Sequence, residues 1–230
     1  MDDYKPYVAE AVGTFMLVFI GAGSICTDYY LKQAGEPGIG LLGIAIAFGF
    51  VVVTVVYSIG YISGGHINPA ATVAFWATKR MEANTAIFYI SSQIIGAALG
   101  GFLLKVLFPD ALASVNLGVT KLGTGVNIYQ ALTMEIILTF FLVFTLFATL
   151  VDPRAPKGLG GLAIGLVFLI GVLVGGPITG GSMNPARTFG PALASGFFEN
   201  HIIYWIGPML GGMAAGLLYD RTFAEGGRRR

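Results

Sequence analysis

The chain has 230 residues, of which 55% are hydrophobic and only 11% are charged, whereas about 25% are charged in typical soluble domains. The formal net charge of +1 gives no reason to expect nucleic-acid binding. The single cysteine excludes an internal disulfide, and no residue spacing suggests a metal site or a cofactor. We therefore expect an all-α protein of the lipid bilayer with almost no soluble part.

Two uncharged stretches of the sequence are too long for one membrane-spanning helix. Residues 37–78 and 158–186 contain no Asp, Glu, Lys or Arg, although one span needs only ~20 residues. Each stretch is therefore predicted to hold a span, a re-entrant loop and a short half-helix that dips into the membrane. In chain order we predict a span over 11–27, a loop over 31–38, a span over 40–61, a half-helix over 71–77, a span over 83–104, a connection over 108–126, a span over 127–151, a span from 158 to about 174, a half-helix over 188–193 and a span over 202–219.

The two half-helices begin with nearly the same sequence, SGGHINPA in the first half and TGGSMNPA in the second. The triplets that repeat are Asn68, Pro69 and Ala70, and Asn184, Pro185 and Ala186. Asn is a strong N-cap, and Pro at the first helical position loses no hydrogen bond, because that N–H has no partner. Either Asn could be an ordinary cap, but the repetition in matching contexts favours one shared site in the membrane.

The two halves of the chain repeat each other beyond this motif. The pattern Glu-x-x-x-Thr-Phe begins at Glu10 near the first span and again at Glu135 in the fourth. Because three spans precede the second copy, the halves must be inserted with opposite orientation, as an inverted repeat. We predict one transmembrane domain over 1–230 with repeats over about 1–115 and 120–225. A glutamate could be a solvated helix end, but the equivalence favours carboxylates that accept N–H groups of the re-entrant loops.

The distribution of Lys and Arg predicts the orientation in the membrane. The N-terminus, Met1-Asp2-Asp3, lacks the basic start of a cleaved signal peptide, so the first span is expected to remain. We expect both termini in the cytoplasm and the protein in the plasma membrane. The cytoplasmic side would then hold Lys5, Lys79, Arg80, Arg154, Lys157, Arg221 and Arg228–Arg230, and the outer side only Lys32, Lys105 and Lys121.

The doubled Asn-Pro-Ala, with Arg187 directly after the second copy, resembles the aquaporin (major intrinsic protein) family over residues 10–205. The resemblance implies six transmembrane helices, two half-helices, a homotetramer with one pore per subunit and passive conduction of water without enzymatic activity or cofactor. A secondary transporter also uses inverted repeats and broken helices, but no titratable pair lies in mid-membrane to couple an ion. A structural or adhesive membrane protein would have no need of these polar residues.

The same resemblance implies a narrow selectivity filter, located by distance from the two asparagines. Its predicted members are Phe48, Val172, Gly181 and Arg187. Arg187 could instead extend to the outer surface, but the match to the family's filter arginine favours the pore. Strict water channels usually have His at the position of Val172, so we expect water together with small neutral solutes such as glycerol, ammonia or hydrogen sulfide. In the alternative, these solutes are the main cargo and water is secondary.

The loop residues before each asparagine are expected to line the pore. Two half-helices that meet head-on direct N-terminal ends, each worth about half a positive charge, at one place, where a water oxygen is held and cations are repelled. His66 could be a pH sensor, although a satisfied structural histidine is the simpler interpretation. The predicted lining residues are Gly64, Gly65, His66, Gly180 and Ser182.

Overall fold

The protein is represented by a computed structural model that describes residues 4–224, so the basic tail Arg228–Arg230 and Met1-Asp2-Asp3 lie outside the described residues. Within this part of the chain the regular structure is helical, without β-strands. The nine α-helices are α1 (Lys5–Gln33), α2 (Gly40–Ser63), α3 (Pro69–Ala77), α4 (Ala83–Leu107), α5 (Ala111–Val115), α6 (Ile128–Leu146), α7 (Gly160–Thr179), α8 (Pro185–Ser195) and α9 (Ile203–Thr222).

The long helices have the length and composition of membrane spans. Five of them, α1, α2, α4, α6 and α7, are long and apolar enough to cross a bilayer. The sixth long helix, α9, is 20 residues long, as α7 is, but it carries Asp220 and Arg221 in its last turn. Large apolar side chains cover the outside of the bundle, for example Val106, which is 73% exposed. An apolar exterior of this extent requires lipid around it, and the prediction of an all-α membrane protein is confirmed.

Several predicted boundaries were wrong, most clearly at the ends of the first and fifth spans. The first helix continues past Asp28 to Gln33, so the loop predicted from residue 31 starts later. Asp28 lies inside the helix because its carboxylate accepts hydrogen bonds from the backbone N–H groups of Ile39 and Gly40, at 2.9 and 2.8 Å, at the start of α2. The fifth span continues past residue 174 to Thr179, with Pro177 in its last turn.

Two segments contain structure that the sequence did not indicate, one in a connection and one at the end of a span. The predicted connection over 108–126 includes the short helix α5 and a 3₁₀ turn at Asn116–Gly118. The last turn before Asp152 is a π-type segment, Phe147–Val151, which widens the end of α6. Tyr219 of α9 donates its hydroxyl to the Asp152 carboxylate at 3.0 Å. This hydrogen bond holds the segment against α9, at the end of the bundle where the described chain begins and ends.

The half-helices exchange partners between the two halves of the chain. Helix α3, from the first half, packs against α9, whereas α8, from the second half, packs against α4. Within each half the pairing is the same, with α1 on α2 and α4, and α6 on α7 and α9. The close approaches need glycine: a Cβ at Gly101 of α4 would lie 2.2 Å from the Gly190 carbonyl oxygen of α8. Each half-helix is therefore held deep in the bundle by the opposite half.

Candidate functional site

Both half-helices begin as the sequence predicted, with Asn as N-cap and Pro at the first helical position. Asn68 has an extended backbone, and its Oδ1 accepts the N–H of Ala70 at 2.9 Å. Asn184 has the same conformation, and its Oδ1 accepts the N–H groups of Ala186 and Arg187 at 3.0 and 3.2 Å. The predicted caps are confirmed, and these bonds leave the amide Nδ2 of each side chain free to point away from its own helix.

The two amides cross over to the opposite loop. Asn68 Nδ2 donates to the carbonyl oxygen of Met183 at 2.8 Å, and Asn184 Nδ2 donates to that of Ile67 at 2.8 Å. Ile67 and Met183 have left-handed backbones, with φ of 43° and 53°, an unfavourable conformation for such side chains. The strain places each carbonyl where the other loop's amide meets it. Each Nδ2 retains a second hydrogen.

The carboxylate of Glu10 accepts hydrogen bonds from the loop before Asn68. Its Oε1 accepts the hydroxyl of Ser63 at 2.7 Å and the N–H of His66 at 2.9 Å. Its Oε2 accepts the N–H of Ile67 at 2.6 Å and the side-chain amide of Gln93 at 2.7 Å. All four partners donate, which is the set that suits an ionised carboxylate. Glu10 therefore compensates for the strained backbone at Ile67.

Glu135 does the same for the second loop. Its Oε1 accepts the hydroxyl of Thr179 at 2.6 Å and the N–H of Ser182 at 2.9 Å, and its Oε2 accepts the N–H of Met183 at 2.8 Å. Both glutamates are fully buried. A tyrosine also contacts the start of each loop. Tyr89 donates its hydroxyl to the carbonyl oxygen of Ser63 at 2.9 Å, and Tyr204 donates to that of Thr179 at 2.9 Å.

A cavity lies where the two half-helices meet. The volume open to the centre of a water-sized sphere is about 20 Å³, which is enough for a water molecule. Both asparagines line it, and most of its remaining wall is apolar. A wider opening of about 430 Å³ lies beside it, towards the end of the bundle where the described chain begins and ends, and shares Val56 and His66 with it. The lining residues of the central cavity are Leu17, Val52, Val56, Gly65, His66, Ile67, Asn68, Ala71, Leu142, Leu146, Ile164, Phe168 and Asn184.

The four residues predicted for the filter form two contacting pairs, Phe48 with Arg187 and Val172 with Gly181. The Phe48 ring stacks on that of Phe168, with centroids 5.8 Å apart, and Arg187 Cζ lies 4.6 Å from the Phe48 centroid. Gly181 lies against Val172, because a Cβ at Gly181 would be 3.0 Å from the Val172 Cα. The Phe48, Val172 and Arg187 side chains are at most 2% exposed, so any passage between them is narrow.

The connection between α4 and α6 holds Arg187, a contact that the sequence did not indicate. Arg187 Nη1 donates to the carbonyl oxygen of Gly118 at 2.9 Å, while Nε has no partner. Thr120, two residues later, forms a hydroxyl–hydroxyl bond of 2.6 Å with Thr188. The sequence of this connection gives no signal for either contact, so Gly118 and Thr120 were not predicted as site residues.

The predicted lining residues divide into two groups. Gly64, Gly65 and His66 border the central cavity or the wider opening beside it. A Cβ built on Gly180 would instead lie 2.9 Å from Thr120, so Gly180 packs on the connection between α4 and α6. Ser182 Oγ forms a hydrogen bond of 2.6 Å with the Thr188 hydroxyl of α8.

Six long helices, two half-helices that meet at paired asparagines, and the cavity between them define a membrane-spanning bundle built around a central passage. The family model described as major intrinsic protein matches residues 1–219. The chain belongs to the major intrinsic protein family, whose members are channels, so the prediction that it is not an enzyme is confirmed.

Relatives that resemble the chain over nearly its whole length come from distant organisms. Aquaporin TIP4-4 of Zea mays is 44% identical over 226 residues, covering 97% of this chain and 88% of that protein. The lens fiber major intrinsic protein of Lithobates pipiens is 45% identical over 219 residues, covering 94% and 80%. Aquaporin AqpM of Methanothermobacter marburgensis is 39% identical over 241 residues, covering 96% and 98%.

A solved structure has the same fold. The aquaglyceroporin from Plasmodium falciparum matches with a TM-score of 0.82 at 19% identity, over 95% of this chain and 96% of that chain. The predicted arrangement of six spans and two half-helices is therefore confirmed.

Proposed function

We propose that the chain is a passive channel that conducts water and small neutral solutes and excludes ions and protons. The observation that carries the proposal is the pair of crossed amides, Asn68 and Asn184, which line one cavity at the meeting point of two helix N-termini. The relatives named as aquaporins and the solved aquaglyceroporin support the same class of cargo.

The amide geometry gives a physical reason for conduction without protons. One hydrogen of each Nδ2 is used by the opposite loop, at 2.8 Å, and the other is available to a water in the cavity. A water oxygen held by two donors directs its hydrogens away from both, which interrupts a proton wire through the file. Each half-helix adds about half a positive charge at the same place, which repels cations.

For selectivity we propose a filter formed by Phe48, Val172, Gly181 and Arg187. Arg187 supplies the donors for a solute oxygen, and its charge repels cations. Phe48 and Val172 supply an apolar surface, which suits a small neutral molecule with a carbon or sulfur face. The small side chain of Val172 favours the broader solute range, including glycerol, ammonia and hydrogen sulfide, over strict water selectivity.

For the assembly we propose a homotetramer in the plasma membrane with both termini in the cytoplasm. The repeats over about 1–115 and 120–225 would then be inserted in opposite directions, consistent with the exchanged half-helices. In support of the orientation, Lys5, Lys79, Arg80, Arg154, Lys157 and Arg221 belong to the end of the bundle where the described chain begins and ends, and Lys32, Lys105 and Lys121 to the other.

The test is stopped-flow light scattering on proteoliposomes that contain the full chain. We expect fast, weakly temperature-dependent water flux, and a smaller but measurable glycerol flux. Asn184→Asp should lower water flux, because it removes the donor to Ile67 and places an anion against the half-helix ends. The matched control is Asn127→Asp, a cap at the outer end of α6 that accepts from Gln130 N–H at 2.9 Å. Slow saturable flux, no flux, or equal loss in both variants would contradict the proposal.

A further inference from the structure

Gln93 of α4 is a fully buried polar residue with an orphaned oxygen behind the first loop. Its Nε2 donates both hydrogens, to Glu10 Oε2 at 2.7 Å and to Thr72 Oγ1 at 3.0 Å. The reversed amide would place two oxygens in contact, so the orientation is fixed by the carboxylate. An unpaired buried carbonyl is unfavourable, and the same orientation of the amide delivers a hydrogen to the Thr72 hydroxyl.

The Thr72 hydroxyl has one hydrogen and two lone pairs, and three neighbours compete for them. One lone pair accepts from Gln93. The carbonyl oxygen of Asn68, one helical turn back, lies 3.1 Å from Oγ1, and Nδ1 of His66 lies 3.1 Å away. If the hydroxyl donates to Asn68, its second lone pair accepts an N–H from His66 and all three contacts are hydrogen bonds. If it donates to His66, the contact with Asn68 is lost.

The His66 ring has little freedom to choose another partner. Phe75 packs on the ring with centroids 4.4 Å apart, and Tyr89 meets it edge-on at 5.3 Å. Nδ1 is directed at Thr72, so the edge of the ring formed by Cδ2 and Nε2 faces the other way, towards Gly64. A Cβ built on Gly64 would lie 3.3 Å from Cδ2 and 3.4 Å from Nε2. Gly64 and His66 both border the wider opening, so Nε2 is the ring nitrogen that meets water.

We propose that Thr72 is a positioning residue for conduction: its hydroxyl holds the His66 proton on Nδ1, so that Nε2 is a hydrogen-bond acceptor facing the passage. Water then meets two donors at Asn68 and Asn184 and, next to them on the inner side, an acceptor. The donors hold the oxygen and the acceptor draws a hydrogen inward, so both groups orient the inner water in the same sense. The effect on conduction rests on the proposed channel function; the position of the proton does not.

The other half of the chain has a different arrangement at the equivalent place. Ser182 stands where His66 does and Thr188 where Thr72 does, and their hydroxyls are joined at 2.6 Å. Four residues after Tyr204 the chain has Pro208, where Gln93 follows Tyr89 by four. The second partner of Thr188 is the Thr120 hydroxyl instead of an amide. The imidazole and its amide-fixed hydroxyl therefore occur on the inner side only, which makes the passage chemically asymmetric.

The direct test is nitrogen solid-state NMR of histidine-labelled protein in lipid bilayers. The chain has two histidines, so His201→Gln leaves His66 as the only labelled ring. We expect Nδ1 to carry the proton and Nε2 to be unprotonated. In Thr72→Val a proton on Nδ1 would have no acceptor, whereas one on Nε2 can donate towards the opening, so the proton should move to Nε2. Thr72→Ser should restore the wild-type spectrum, and Thr188→Val is the matched control that should not change it.

A proton on Nε2 in the wild type would overturn the proposal without any further variant. An unchanged spectrum in Thr72→Val, or the same change in Thr188→Val, would also overturn it. In proteoliposomes, water permeability of Thr72→Val should fall about two- to fivefold, the equivalent of one net hydrogen bond, and Thr72→Ser should stay at the wild-type level. A moved proton with unchanged permeability would overturn the role in conduction. Absence of water flux in the wild type would instead refute the proposed function, because the NMR result is independent of flux.

Discussion

Replacing Arg187 by Val should open the proposed filter to cations, because it removes the filter's positive charge. Arg187 Cζ lies 4.6 Å from the Phe48 ring centroid, so the guanidinium is held against this ring. A cation in contact with the guanidinium would be about 4 Å from its charge, where two unit charges repel by about 4 kcal/mol at an effective dielectric constant of about 20. Loss of this barrier corresponds to a roughly 1,000-fold rise in cation leak.

The assay combines cation flux with osmotic water flux in the same proteoliposomes. Water flux should persist in Arg187→Val, since Asn68 and Asn184 remain in place. Arg187→Lys keeps the charge and should keep cations out. Arg80→Val removes an equal charge at the end of the bundle, where Arg80 pairs with Asp220 at 2.7 Å, and should cause no leak. A leak at the wild-type level in Arg187→Val would refute the reasoning, because the half-helix dipoles alone would then be sufficient.

Three further outcomes follow from the geometry. Val172→His should lower glycerol flux about tenfold, the scale of a small steric mismatch, with little change in water flux; equal glycerol flux would mean that Val172 does not set the width. Gly101→Ala should destabilise the folded protein by about 3 kcal/mol, measured by thermal unfolding, because its Cβ would lie 2.2 Å from the Gly190 carbonyl oxygen. The control Gly60→Ala, whose Cβ would have its nearest contact at 3.5 Å, should be neutral. Arg154 holds the pKa of Asp152 well below its usual range, so Asp152→Asn should lower stability at neutral pH. A depressed pKa stabilises fully above the unfolded value of about 3.9, and this contribution is lost as the pH falls from there towards the folded value. The difference from wild type should therefore shrink below pH 4, and a pH-independent difference would contradict the ion pair.

Much of the site could be predicted from the sequence because its signals are local and repeated. Asn followed by Pro specifies a helix start whatever surrounds it, and both predicted caps are present. The equivalence of Glu10 and Glu135 suggested carboxylates that accept loop N–H groups, and two backbone N–H groups donate to each. These predictions needed no knowledge of which helices pack together.

The contacts that were missed depend on long-range packing. The first span was predicted to end at residue 27, before the charge of Asp28, yet this carboxylate accepts the N–H groups of residues 11 and 12 positions later. Gly118 and Arg187 are 69 residues apart, and Gln93 and Glu10 are 83 apart. A single amide in a span, or a carbonyl in a connection, has no periodic signal that reveals its partner.

Water should pass between Asn68 and Asn184 while protons do not. The most direct measurement is stopped-flow osmotic permeability of proteoliposomes that contain the full chain and an entrapped pH-sensitive dye, with a pH gradient and an osmotic gradient applied together. We expect fast volume change with weak temperature dependence, while the dye signal stays at the level of protein-free vesicles. Proton entry that rises with the amount of channel, or water flux no faster than in empty vesicles, would contradict it.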